Sequence, residues 1–180
     1  VPEWEGGGLE FCRALHTPRI AATELEARDI VFGHGTWMMV RCGAAASAVA
    51  VVLALFGETR SWGLLPGIVV AIAVGLSFAM PIMAFSINVK LDGAFAGLQR
   101  FLIIPLFLFG GAFYPISQLP IAVQWVAKFF PLWHGVVMAR DFSIGDVDWV
   151  GVAGHTSYIA AWVTVGTWFA IYRLRKRLYP

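Results

Sequence analysis

Apolar residues in this chain do not alternate with polar ones; they run on in long blocks separated by short polar breaks. Four blocks stand out, at about residues 33–56, 63–85, 101–114 and 150–172. A helix needs about 20 consecutive apolar residues to cross a bilayer. Lipid offers no partners to backbone N–H and C=O groups, so blocks of this length are expected to satisfy them internally, as helices. The pattern therefore predicts an all-α, polytopic transmembrane helical bundle with about four membrane helices. It is preceded by a non-membrane segment, 1–29, and followed by a basic tail, 173–180.

The breaks and exceptions within the blocks refine this picture. The first block holds His34 and Arg41. An Arg at the centre of a membrane helix costs about 2.5–3.5 kcal/mol on insertion scales. Counted from Gly33, Arg41 lies about 12 Å along the axis, near enough for its stem to snorkel to the interface; a polar contact inside the bundle is the other reading. Gly43 to Ala50 is rich in small residues, which let helices approach closely and suit a packed bundle or a dimer seam. In the second block Pro81 predicts a kink that neighbouring helices tolerate. The third block is short, interrupted by Pro105 and weakened by Gly110-Gly111.

Residues 115–149 read as a cap. Ile121, Trp125, Val126 and Phe129 form an apolar stripe at helical spacing, with Gln124 and Lys128 off it. A helix from Ile121 to Phe130 is too short to cross. Pro131 ends it, and a second short helix is expected over Leu132 to Phe142. The pair is expected to lie in the interface or to re-enter the membrane, with Trp125, Trp133 and Trp149 at headgroup level. In the last block His155, Thr156, Ser157, Thr164 and Thr167 are placed to bond to neighbouring helices. Before the first block, Thr17-Pro18 suits a helix start. Ile20 to Arg28 is modestly amphipathic, either a solvated connector or an interfacial helix that touches a partner.

Composition agrees. Of the 180 residues 59% are hydrophobic and 13% charged, against about a quarter charged in soluble domains. A net charge of +2 gives no support to a nucleic-acid partner. The basic tail Arg173, Arg175, Lys176, Arg177 places the C-terminus on the cytoplasmic side. Four passes then put Arg13, Arg19, Arg28, Lys90 and Arg100 on that side too, leaving Arg60, Lys128 and Arg140 outside. The cap is therefore extracellular, and the protein is expected in the plasma membrane. Cys12 and Cys42 lack metal-ligand spacing and read as small apolar fillers.

Catalytic signatures are absent. His16, His34, His134 and His155 lie in four segments without metal spacing. There is neither a G-x-S-x-G elbow nor a Gly-rich phosphate loop. Asp141, Asp146 and Asp148 near His134 are acids of a loop rather than a metal site, and Asp92-Gly93 is a turn signal. No cofactor of the chain's own is expected, and any active transport must draw on ATP hydrolysed by a partner.

Residues 107–141 carry a family resemblance. The run Phe107-Leu-Phe-Gly-Gly-Ala-Phe-Tyr-Pro-Ile-Ser-Gln-Leu-Pro120, then Val123-Gln124-Trp125, Phe130-Pro131-Leu132-Trp133-His134-Gly135 and Arg140, resembles the ABC-2 type permease family. The likeness is to its branch of bacterial drug-resistance and nodulation-type lipooligosaccharide exporters. Upstream, Leu15-His-Thr-Pro18 looks like the family's T-P-L stretch.

The resemblance implies the membrane subunit of an ABC exporter, moving a hydrophobic drug or lipid-linked saccharide outward. Two permease chains would pair, as a homo- or heterodimer in membrane lipid, above two cytoplasmic ATP-binding subunits. Thr17 to Asp29 sits where the family places a coupling helix, so Thr17, Pro18, Glu24, Glu26 and Arg28 are expected at the ATPase contact. Phe113, Tyr114, Pro115, Leu119, Pro120, Trp125, Pro131, Trp133, His134 and Arg140 are expected in the outer cap and exit path. The family has six passes, so the chain reads as the C-terminal two-thirds of a permease or an N-terminally truncated relative. A membrane-embedded lipid-modifying enzyme, with Arg41, His34 and His155 as its ionisable groups, and a non-transporting assembly subunit are the competing expectations.

Overall fold

The structure, a computed structural model, describes residues 26–55, 63–87, 97, 99–111, 116–118, 120–145 and 147–178. Among the described residues the α-helices of six or more residues are α1 (Ala27–Leu55), α2 (Leu64–Ser86), α3 (Ile104–Phe109), α4 (Ile121–Phe129), α5 (Pro131–Ile144) and α6 (Trp149–Leu178). A π-helical turn, Gln99–Ile103, leads into α3, and a 3-10 turn, Ile116–Gln118, precedes α4. Among the described residues there is no strand, so the expected all-α bundle is what forms.

α2 is the central element and packs against α1, α5 and α6. Two apolar clusters mark its ends. Near its C-terminus Met80, Met83, Ala84 and Ile87 meet Ala27 and Val31 of α1 and Ala170 and Leu174 of α6. Nearer its N-terminus Val70 meets Met138 of α5 and Ile159 of α6. α6 buries a stripe at Ile159, Gly166, Ala170 and Leu174, the three-to-four spacing of one helix face. α1 is most deeply buried at its beginning, at Ala27, Val31 and Gly35, and still packs on α2 at Cys42 and Gly43.

The outer surface is apolar. Trp37, Val49, Val51, Leu55, Val69 and Trp168 are each more than half exposed. In water such a surface would be an aggregation liability; in lipid it is the ordinary solvent contact. α1 and α2 are both long and apolar enough to cross a membrane. At about 1.5 Å per residue α6 is long enough as well, though His155 and several hydroxyls dilute its apolar run. The 86° α4–α5 pair would add another crossing only if the two were one broken span.

Two details depart from the sequence expectation. The described part of the block at 101–114 does not form one uniform α-helix. Residues 99–109 give a π turn followed by α3, roughly 16 Å at helical rise, about half the hydrocarbon thickness. Pro105 in the first turn of α3 lacks the N–H that would continue the preceding turn. Gly111, at φ 88°, then turns the chain out of the helix. The first pass, too, begins early, since α1 starts at Ala27 and its apolar run at Ile30. Arg41 is thus about 16 Å from the start of that run, against about 12 Å counted from Gly33. Its side chain is exposed on the outer face of α1.

Polar groups on the membrane helices are satisfied locally. The buried hydroxyls of Ser77 and Ser86 donate to the carbonyls of Val74 and Met83, as hydroxyls within helices commonly do. Close packing relies on glycine where a neighbour cannot yield. A Cβ on Gly166 of α6 would lie 2.8 Å from the Pro81 ring and 3.0 Å from Met80 Cβ. Gly67 of α2 has nothing within 4 Å. Gly166→Ala should therefore destabilise by about 1–3 kcal/mol, while Gly67→Ala should be neutral or mildly stabilising. The melting temperatures of the two variants in detergent, set against the parent, check this.

Candidate functional site

The cap is organised by the elbow between α4 and α5. Phe130 is extended, with φ −90° and ψ 147°, and Pro131 opens α5. Proline has no N–H to carry α4 onward and forces the preceding residue out of helical conformation. Such a break strands the last carbonyls of α4. Side chains from the following helices take two of them. His134 Nε2 lies 3.1 Å from the Lys128 carbonyl, and the Tyr158 hydroxyl donates to the Phe129 carbonyl.

Those bonds fix the protons on the histidines. Facing a carbonyl, His134 Nε2 must be the N–H, which leaves Nδ1 of the neutral ring as an acceptor. His155 Nδ1 lies 2.6 Å away and therefore donates. The pair can share one added proton but not two, because two N–H groups would then face each other. Burial, then the neighbouring charge of His155, holds the His134 pKa below the ordinary histidine value, and the bond to the Lys128 carbonyl pulls weakly the other way.

Aromatic rings enclose this pair. The Tyr158 ring lies 4.2 Å from His134. Trp133 stands edge-on to both histidines, at 4.9 and 5.5 Å, with Lys128 Nζ 5.7 Å from its ring centre. Phe129 and Phe130 rest on Trp162 at 5.7 and 6.1 Å. The elbow thus sits on one face of α6 formed by His155, Tyr158 and Trp162. Farther along α5, Arg140 Nη2 donates to the Gly111 carbonyl at 3.2 Å and ties the turn after α3 to the cap.

Of the residues expected in the cap, His134 and Arg140 make the bonds just described and Pro131 is buried at the elbow. Trp133 faces the histidines. Pro120 precedes the first turn of α4 and accepts the N–H groups of Val123 and Gln124. Trp125 is 72% exposed. With Ile121, Val126 and Phe129, also more than half exposed, it forms the apolar stripe that an interfacial helix presents, and Phe129 also touches Trp162. Phe113, Tyr114, Pro115 and Leu119 lie outside the described residues. So do Thr17, Pro18 and Glu24 of the expected ATPase contact, along with Cys12, Asp92-Gly93 and Asp146. Glu26 and Arg28 are described: they form an exposed ion pair of 2.7 Å at the start of α1, and the Glu26 N–H is capped by Asp29.

No group of three or more metal-ligating side chains occurs among the described residues. Asp148 serves as a cap, accepting the Val150 N–H at 3.1 Å. His155 bonds to a neighbouring helix as its place in the last block implies, but the sequence does not single out His155 and Tyr158 as residues of the cap. Their signal was the stripe His155, Tyr158, Trp162 at i, i+3, i+7, which marks one α6 face, but nothing in the sequence names its partner. Under the cap, a groove of about 520 Å³ runs between α1, α2 and α5, lined by Cys42, Ala46, Val49, Leu53, Ile68 and Ala139 among others. Its walls are almost wholly apolar.

Comparison with known proteins matches residues 23–142 to a family model described as ABC-2 type transporter. Nodulation protein J of Rhizobium leguminosarum bv. trifolii is 30% identical over 156 residues, covering 87% of this chain and 59% of that protein. The Rhizobium meliloti Nodulation protein J is 30% identical over 161 residues, 89% of this chain and 61% of the relative. That of Bradyrhizobium diazoefficiens is 26% identical over 159 residues, covering 88% and 60%. The chain thus spans about three fifths of the length of these curated relatives. No solved structure matches it significantly.

The elbow's bonds give two expectations. His155→Phe leaves His134 Nδ1 without its donor and should cost about 1–3 kcal/mol, read as a lower melting temperature in detergent. Acid should weaken the cap as well. With its folded pKa depressed, His134 contributes stability that is complete above the unfolded histidine value near 6.5 and is lost as pH falls below it. Melting curves at pH 7.5 and 5.5 should show a larger acid-induced drop for the parent than for His134→Gln.

Proposed function

We propose that this chain, which belongs to the ABC-2 type transporter family, works as the membrane-spanning permease of an exporter driven by a separate ATP-binding subunit. The family is one of transporter membrane subunits, which sets the lipid-modifying-enzyme reading aside. The cargo class on this reading is a hydrophobic drug or a lipid-linked saccharide, and the apolar groove beneath the cap supports it.

The observation that carries the reading is Arg41. It stands within the membrane-length helix α1, exposed on its outward face, and it makes no hydrogen bond or ion pair with the described residues. An intramembrane Arg facing only hydrocarbon is costly, and such residues ordinarily face a bundle interior or a polar path. The small residues Ala44, Ala45, Ser47 and Ala48 continue the same uncovered side, a surface suited to close approach by another helix. A second permease chain against this face would place Arg41 in a seam or translocation path. Thr17 to Asp29 would serve as the coupling segment toward the ATPase, on the cytoplasmic side with the basic tail. Nucleotide binding would favour one arrangement of the two chains through differential contacts. The cap would then release cargo on the other side.

Two measurements check this. In cells expressing the complete transporter, Arg41→Leu should reduce ATP-dependent export of a hydrophobic dye at least tenfold while leaving membrane insertion intact, and Arg41→Lys should retain part of it. Full export by Arg41→Leu would remove Arg41 from the path. Glu24→Lys combined with Arg28→Glu should sharply reduce co-purification of the ATP-binding subunit. Undiminished association would sink the coupling contact.

A further inference from the structure

We infer that a cleft at the basic end of the bundle holds the phosphate headgroup of an anionic phospholipid. The cleft, about 640 Å³, lies between the first turn of α1 and the last turns of α6 and is lined by Glu26, Ala27, Tyr172, Arg175 and Lys176. Its walls are set by packing: Ala27 and Leu174, at 1% exposure each, belong to one cluster with Val31 and Ala170. The basic residues of α6 here extend an ordered helix.

Charge distribution selects the ligand. Glu26 is the acidic lining residue, and Arg28 already pairs with it at 2.7 Å. Two other basic side chains of α6 are occupied: Arg173 lies over the Phe169 ring at 4.8 Å, and Arg177 donates to the Ile87 carbonyl. Arg175 and Lys176 line the cleft and make no hydrogen bond or ion pair with the described residues. The cleft therefore presents two cations, a tyrosine and a neutralised carboxylate, an environment suited to a monoanionic phosphodiester.

Depth selects the source of the phosphate. Trp168 and Tyr172 stack at 5.9 Å with planes 17° apart, and both are more than half exposed. Aromatic residues of this kind mark the headgroup boundary. Arg175 and Lys176 follow Tyr172 by three and four residues, about 5 Å farther along the axis, where lipid phosphates lie. Acyl chains would run back along the exposed Trp168 and Val165. Basic pockets between membrane helices take anionic headgroups in this way. Free phosphate shares the headgroup chemistry but would gain nothing from the apolar wall. The inference needs only membrane insertion and does not depend on the transport reading.

The test is native mass spectrometry of the full chain released from detergent micelles. It is titrated separately with phosphatidylglycerol, with phosphatidylcholine of the same acyl chains, and with sodium phosphate. Phosphatidylglycerol should bind in preference to phosphatidylcholine. Arg175→Gln with Lys176→Gln should weaken that binding about tenfold. Arg175→Lys should retain it, and Lys128→Gln, a charge loss in the cap, should leave it unchanged. Equal binding of the two lipids, or equal loss in the double variant and Lys128→Gln, would overturn the site. Displacement of phosphatidylglycerol by equimolar sodium phosphate would overturn the lipid assignment in favour of a free anion. If the double variant instead lost the ATP-binding subunit with lipid binding intact, the cleft would be a protein contact and the proposal wrong.

Discussion

Lipid gives the backbone nothing to bond to, and most of this structure follows from that. In hydrocarbon an unsatisfied N–H or C=O costs several kcal/mol, so α1, α2 and α6 bond within themselves and turn apolar side chains outward. Hydroxyls on these helices fold back onto carbonyls of their own helix, as Thr36 and Thr167 do onto Phe32 and Val163. Helix contact cannot draw on the hydrophobic effect, because the surrounding lipid is as apolar as the interface. It draws on fit. That explains why the tight places are Gly166 against Pro81 and Gly75 against Cys42.

The same constraint explains the histidine knot. A chain that must leave helical geometry near the membrane has to find partners for the carbonyls it exposes. At the α4–α5 elbow those partners are His134 and Tyr158, and His155 holds His134 in register. The cap is therefore attached to α6 more firmly than its short helices suggest. α6 also forms the basic end through Leu174 and the charged turns beyond it. One helix of 30 residues thus carries both the cap bonds and the basic cleft. A tilt of α6 against α2 would move both ends at once, without any relay of side-chain contacts between them. On the transport reading, this is a physical route by which a change at the basic end could reach the cap.

Much of the fold was legible in the sequence because it depends on one-dimensional quantities. The length and apolarity of 63–85 are enough to give α2. The stripe Ile121, Trp125, Val126, Phe129 with Pro131 after it gives a short helix with an outward apolar face and a sharp stop, and both are present. What the sequence could not supply is three-dimensional. His134 and His155 are 21 residues apart on different helices, and no periodicity links them. Trp133 looked like one more interfacial aromatic, yet its ring packs against both histidines. The third block failed for a local reason. Its apolar content suggests a span, but Pro105 and Gly110-Gly111, visible in the sequence, mark where the helix changes geometry and ends.

Arg41 shows how the same physics extends beyond a single chain. A guanidinium cannot give up its charge to escape a poor environment as a histidine or carboxyl can. Within a membrane span it must reach water, bend the bilayer or meet a partner. From about 16 Å inside the apolar run the stem would have to stretch along most of a leaflet, past the exposed Trp37. The face of α1 around it is lined by small residues that bury nothing against the rest of the chain. A charge with no local answer, set on a surface shaped for close approach, is more economically explained by a neighbouring helix or a polar path than by solvation in lipid. On the transport reading, the arrangement at α1 is half of an interface.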